Sequence, residues 1–227
     1  MTLQPIWITG DAPVHAFPDV DYAMIQPNGL LAVGGDLTPA RLLHAYQRGI
    51  FPWFSEGQPI LWWAPDPRAV LLPGTLNISR SLKKTLRREK FQVTFDRAFQ
   101  QVIQTCAAPR AQQNDTWITN DMIDAYCALH DRGFGHSVEC WEDGELVGGL
   151  YGVGIGKIFF GESMFSRSSD ASKVALAKLC ESGYELVDCQ LPSDHLRRLG
   201  AIDMPRREFM TLLRRWRGAP NVILGSS

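Results

Sequence analysis

Three polar residues fall where a strand pattern would bury them. In Leu186-Val187-Asp188-Cys189-Gln190, Asp188 and Gln190 are two apart. A strand would point both at one sheet face, with Cα atoms roughly 6–7 Å apart. The flanking residues are apolar, which marks the strand as interior. A carboxylate there must be hydrogen-bonded or have a raised pKa, because burial penalises its charge. Such perturbed acids concentrate at functional sites. The competing reading is an Asp that holds a neighbouring loop through backbone N–H groups. Glu162 poses the same question between Lys157-Ile158-Phe159-Phe160-Gly161 and Ser163-Met164-Phe165. An acid inside so apolar a strand needs a partner. Phe159, Met164 and Phe165 read equally well as plain core.

Two further patterns point to RNA. Arg80, Lys83, Lys84, Arg87 and Arg88 recur at i, i+3, i+4, i+7 and i+8, so a helix would gather them on one face. Their mutual repulsion would be relieved by a phosphate backbone; a solvated helix face is the plainer reading. The chain carries seven tryptophans. Trp53, Trp62, Trp63 and Trp117 lie in loop-like sequence, where exposed rings can stack on unpaired bases. Packing between two domains is the alternative for Trp62 and Trp63. A net charge of −1 restricts any RNA contact to a local patch.

Several chemistries leave no mark. There is no Walker-type phosphate loop and no Gly-x-Gly-x-x-Gly. Gly161-Glu162-Ser163-Met164-Phe165 lacks the second glycine of a hydrolase nucleophile elbow. The five histidines form no metal-binding helix pair. The five cysteines, at 106, 127, 140, 180 and 189, show neither a Cys-x-x-Cys knuckle nor disulfide-framework spacing. Neither a metal nor a cofactor is expected, and a substrate would arrive already activated. The N-terminus has no secretory pattern and no apolar run could span a bilayer, so the expected compartment is the cytosol, with no membrane partner.

The elements that would position these residues can be traced along the chain. Turn formers dominate residues 1–40. Thr38-Pro39 reads as a helix start, and the helix ends near Gly49. Pro52, Pro59, Pro65 and Pro67 argue against a regular helix or central strand over 51–68. A boundary near residue 66 divides a small N-terminal domain, 1–66, from a larger one, 67–227. Beyond it, strands are expected at 69–72, 92–95, 136–142 and 184–191, with helices over 79–90, 98–106 and 120–132. A further helix, capped by Ser169 or Asp170, would end at Gly183. Residues 145–151 and 157–164 read as a hairpin around Gly152, Gly154 and Gly156. This pattern suggests an α+β fold, with helices packed on a mostly antiparallel sheet.

Several stretches together resemble leucyl/phenylalanyl-tRNA–protein transferases. They are Pro27-Asn28-Gly29-Leu30-Leu31, Gly34-Gly35-Asp36-Leu37, Tyr46-Gln47-Arg48-Gly49-Ile50-Phe51-Pro52-Trp53-Phe54 and Leu61-Trp62-Trp63-Ala64-Pro65-Asp66-Pro67-Arg68. Thr116-Trp117-Ile118-Thr119, Gly161-Glu162-Ser163-Met164-Phe165-Ser166 and Asp188-Cys189-Gln190 complete the set. The resemblance implies a larger C-terminal domain with an acetyltransferase-like (GNAT) fold. It implies transfer of Leu or Phe from aminoacyl-tRNA to proteins beginning with Arg or Lys, marking them for degradation, without metal or nucleotide cofactor.

Carried over by position, Trp53 and Trp117 match the aromatics that hold the terminal adenosine. Leu150, Phe159, Met164, Leu176, Leu179 and Val187 match the apolar pocket for the transferred side chain. Glu162 matches the acid that helps place the aminoacyl ester, and Asp188 and Gln190 match the proposed catalytic pair. The expected reaction is direct aminolysis, with Gln190 accepting a hydrogen bond from the attacking amine and Asp188 orienting that amide or acting as base. Two rivals stand beside it. An acetyl-CoA-dependent acetyltransferase would need an Arg/Gln-x-x-Gly-x-Gly/Ala loop, which is absent. A non-catalytic RNA- or peptide-binding module would leave Asp188, Gln190 and Glu162 without a role.

Overall fold

The structure is a computed structural model that describes residues 4–108 and 118–225. Two sheets divide the chain between residues 63 and 68. The first is built from β1 (Ile6–Ile8), β2 (Leu30–Gly34), β3 (Phe51–Pro52) and β4 (Leu61–Trp63), in the order β1-β2-β4-β3, with α1 (Pro39–Tyr46) between β2 and β3. Only β1 and β2 pair in parallel. Central strand β4 corrects the expectation that prolines bar one from this stretch. The prolines flank Leu61-Trp62-Trp63 instead of interrupting it, so its ladder keeps its donors. Trp62 is fully buried, its indole N–H donating to the Gly34 carbonyl. Packing, not base stacking, therefore occupies Trp62.

The larger sheet comprises β5 (Arg68–Leu71), β6 (Gln92–Phe95), β7 (Gly135–Glu142), β8 (Glu145–Ile155), β9 (Ile158–Ser166), β10 (Leu186–Gln190) and β11 (Ile202–Met204), ordered β11-β5-β10-β9-β8-β7-β6. Every pairing is antiparallel except β9 with β10. Its helices are α2 (Arg80–Arg87), α3 (Phe99–Ala107), α4 (Asn120–His130), α5 (Ala171–Cys180), α6 (Asp194–Arg198) and α7 (Arg206–Trp216). The fold is α+β. Sequence patterning did not mark α6, β11 or α7.

The β8–β9 hairpin is longer than its pattern suggests. Gly152 and Gly154 lie inside β8, and the turn is at Gly156. Crowding explains both strand glycines: a Cβ at Gly152 would meet the Phe160 carbonyl and the Phe159 ring, and one at Gly154 the Tyr184 hydroxyl. None of the described helices is long and apolar enough to cross a membrane.

The two sheets share one apolar core. It runs from Leu42, Tyr46, Phe51 and Trp62 to Tyr126, Phe160 and Phe209. A second cluster lies on the other face of the large sheet, around Leu150, Phe159, Leu176, Leu179 and Val187. The first brings α1 and α7 against the strands that carry Glu162 and Asp188.

Candidate active site

The parallel pairing of β9 with β10 runs only from Leu186↔Ile158 to Asp188↔Phe160. Where it ends, a cavity of about 250 Å³ opens. Leu150, Phe159, Met164, Leu176, Leu179 and Val187 line it, together with Glu162 and Gln190. The structure therefore brings eight of the residues singled out from sequence to one place. Tyr151, Gly161, Ser163, Cys189 and, from α6 and the loop before it, Ser193, His195 and Leu196 complete the lining. Sequence reasoning missed these, because nothing local in α6 shows that it folds back over β10.

Each polar group at the cavity has a built environment. The β10 register against β5 shifts between Asp188 and Gln190, and Gln190 takes a left-handed φ of 65°. This bulge breaks simple two-residue alternation. The Gln190 backbone N–H donates to Asp188 Oδ1 at 2.9 Å, while its side-chain Nε2 donates to Glu162 Oε1 at 2.7 Å.

Asp188 is fully buried and paired bidentately with Arg68, Nε to Oδ1 at 2.8 Å and Nη2 to Oδ2 at 2.6 Å. Arg68 is itself buried, its guanidinium between the Phe51 and Phe209 rings at 4.6 and 4.8 Å. Two aromatic faces and a carboxylate suit a planar, weakly hydrated cation.

Glu162 is also buried. Tyr46 Oη lies 2.7 Å from its Oε1 and Tyr126 Oη 2.9 Å from its Oε2, each at hydrogen-bond distance. Burial raises its pKa to about 7; its hydrogen bonds from Tyr46, Tyr126 and Gln190 pull downward, and the Asp188 charge pushes up. Both tyrosines are pushed above their ordinary range, first by burial and then by the Glu162 charge. The site thus holds one acid able to change protonation near neutrality and one carboxylate neutralised by arginine.

The remaining expected residues lie elsewhere. Trp53 is exposed at the rim of the small sheet, edge-on to Trp63, and does not line the cavity. Trp117 lies outside the described residues. Helix α2 is capped by Ser79, whose Oγ accepts from the Leu82 N–H, and buries only Leu82. Arg80, Lys83, Lys84, Arg87 and Arg88 are all exposed, with no ion-pair partner among the described residues.

Comparison with known proteins identifies the family. The family model described as leucyl/phenylalanyl-tRNA protein transferase matches residues 70–214, and that of its N-terminal domain matches residues 35–66. A leucyl/phenylalanyl-tRNA–protein transferase of Nitrosospira multiformis is 56% identical over 212 residues, covering 92% of this chain and 90% of the relative. One from Pseudomonas fluorescens is 57% identical over 209 residues, covering 90% and 92%. Among solved structures, a GCN5-related N-acetyltransferase from Kribbella flavida overlays at a TM-score of 0.37 with 13% identity, covering 72% of this chain and 60% of that one. That score is too low to bear on the fold or the chemistry. The sequence relatives are close and nearly full-length: the chain belongs to the leucyl/phenylalanyl-tRNA–protein transferase family and is an aminoacyltransferase.

Proposed function

We propose that the cavity takes the Leu or Phe side chain of an aminoacyl-tRNA, and that the α-amine of a protein beginning with Arg or Lys attacks the ester carbonyl at its polar end. The observation that carries this reading is an apolar cavity of about 250 Å³ with Glu162 and Gln190 at the strand split. An apolar cavity of ~150 Å³ suffices for benzene, so this one is scaled to an amino-acid side chain. One methylene is worth only ~1–3 kcal/mol in such a pocket. Selection of Leu and Phe over Val and Ile therefore rests on a neck that rejects branching at Cβ.

The reaction is aminolysis. The C–N bond forms, the ester C–O bond to the ribose breaks, and the ribose oxygen takes up the proton the amine gives away. Holding both substrates aligned can supply ~7–11 kcal/mol. Gln190 Nε2 is occupied by Glu162, which leaves Gln190 Oε1 to accept from the attacking amine. An amide is a very weak base, so Gln190 orients the amine. Asp188, with both oxygens committed, is a positioning residue: it fixes the bulge through the Gln190 N–H. Trp53 would hold the terminal adenosine, and the basic face of α2 would meet tRNA phosphates. Family membership supports an Arg or Lys acceptor and a role in protein degradation. Charged tRNA places the reaction in the cytosol.

A panel of tRNAs charged with Leu, Phe, Val or Ile, each offered to peptides beginning with Arg, Lys or Ala, tests both selections. Fast transfer of Leu and Phe to Arg and Lys peptides is expected. Equal rates for Val and Ile would contradict the donor assignment, and equal rates for Ala peptides the acceptor assignment.

A further inference from the structure

We propose that Glu162 rests as the neutral carboxylic acid in a closed ring of hydrogen bonds with Tyr46 and Tyr126, and that the ring releases its proton when the donor's α-ammonium group docks beside it. The ring stands on geometry alone; the docking half rests on the transferase reading above.

Three oxygen–oxygen contacts close a triangle: Tyr46 to Glu162 Oε1 at 2.7 Å, Tyr126 to Glu162 Oε2 at 2.9 Å, and hydroxyl to hydroxyl at 2.5 Å. Each contact needs one proton between its oxygens. The two tyrosines supply two. If Glu162 were ionised, one of the three contacts would hold no proton and would press lone pair against lone pair. A proton on Oε2 satisfies all three. Glu162 then donates to Tyr126, Tyr126 to Tyr46, and Tyr46 to Oε1. Gln190 Nε2 donates to Oε1 in either state, so the change of charge leaves Gln190 in place.

The surroundings favour the neutral form. From β8, Tyr151 presents a buried hydroxyl with no partner, and it supplies no charge. From β10, Asp188 pushes against a second negative charge and its own countercharge is spent on Arg68. From α6, burial and then the Arg198 and Lys173 charges lower the His195 pKa, which disfavours a cation there. The tyrosines are too weakly acidic in this setting to be the charged members. An incoming ammonium would reverse the balance, since an opposite charge at close range favours the carboxylate. Tyr46 and Tyr126 are thus positioning residues for the donor, acting through Glu162.

Infrared difference spectroscopy tests the ring without substrate. At about pH 6, below the Glu162 midpoint but above an ordinary carboxyl, wild type should show a protonated-carboxyl stretch that is missing in Glu162→Gln. Tyr126→Phe should shift that band, because the acid proton loses its acceptor, and this variant serves if Glu162→Gln does not fold. Absence of the band, or a band that Tyr126→Phe leaves unmoved, overturns the ring. For docking, calorimetry with a leucyl-adenosine amide in buffers of different ionisation heat should show release of about one proton by wild type near pH 6 and none by Glu162→Gln. Binding without release overturns the docking half. A probe that does not bind sinks the donor assignment and the docking half together, while the infrared band still decides the ring.

Discussion

Both oxygens of Asp188 are spent on Arg68 and the Gln190 N–H, and this sets the outcome of removing it. Asp188→Ala would leave a buried guanidinium uncompensated, at a cost of ~3–5 kcal/mol in denaturant unfolding. It should also free Gln190 and lower turnover by about 10²-fold or more, the usual scale for groups that orient or move protons. Wild-type turnover in a destabilised Asp188→Ala protein would make the pair purely structural. Met164→Ala asks whether a cavity wall selects the donor: the Trp-to-Leu rate ratio should rise as the space enlarges. A drop in melting temperature with unchanged ratios would remove Met164 from the wall. Glu162 adds a pH signature. Its folded pKa of about 7 lies above the ordinary 4.5, so its stabilisation is full below 4.5 and is lost as pH rises through 7. Relative to Glu162→Gln, wild type should lose about 3 kcal/mol of unfolding free energy across that window. A pH-independent difference between the two would place Glu162 in the carboxylate form throughout. The sequence showed that both acids required partners. It did not show which, because Arg68 is 120 residues from Asp188 and Tyr46 is 116 from Glu162. Burial alone would not have sufficed either: Glu139 is as buried as Asp188, yet Thr94, Ser137 and the Ala98 N–H satisfy it and it does not line the cavity.

At the scale of elements, the site depends on one irregular strand. β10 pairs with both β5 and β9, then bulges at Cys189, and the cavity begins where its pairing with β9 ends. Alternation over 184–191 marks such a strand; the bulge is invisible, since it arises from which partner strand keeps the ladder. Helices over 79–90 and 120–132 were legible, and Ser79 and Thr119 cap them by accepting from the N–H three residues on; the caps read from sequence, Thr38 and Asp170, make no such bond. Strands β3 and β4 were not, because two- and three-residue strands carry too little periodicity. Helix α2 carries its own prediction. Replacing Lys83, Lys84, Arg87 and Arg88 with neutral residues should weaken tRNA binding and flatten its salt dependence, by somewhat under one unit of log–log slope per lost phosphate contact. An unchanged slope would move the contact to the arginines of α7, of which Arg206 is already engaged with the Ala64 carbonyl.

For the whole molecule, the small N-terminal sheet is part of the site's construction. α1 sends Tyr46 to Glu162, β3 places Phe51 on Arg68, and α7 closes the other face of that guanidinium with Phe209. The polar end of the cavity is therefore assembled from both sheets, while its apolar walls belong to the large sheet with α5 and α6. A chain of net charge −1 that handles tRNA must confine its contact to local basic faces. The transferase reading has these parts join an amino acid from charged tRNA to another protein's N-terminus. Its most direct test is to incubate the enzyme with leucyl-tRNA and a peptide beginning with Arg, without ATP or acetyl-CoA, and to fragment the product in a mass spectrometer. A peptide heavier by one leucyl residue, with leucine at its N-terminus, is expected. An unmodified peptide beside intact leucyl-tRNA, or leucine attached anywhere but the N-terminal amine, would contradict it.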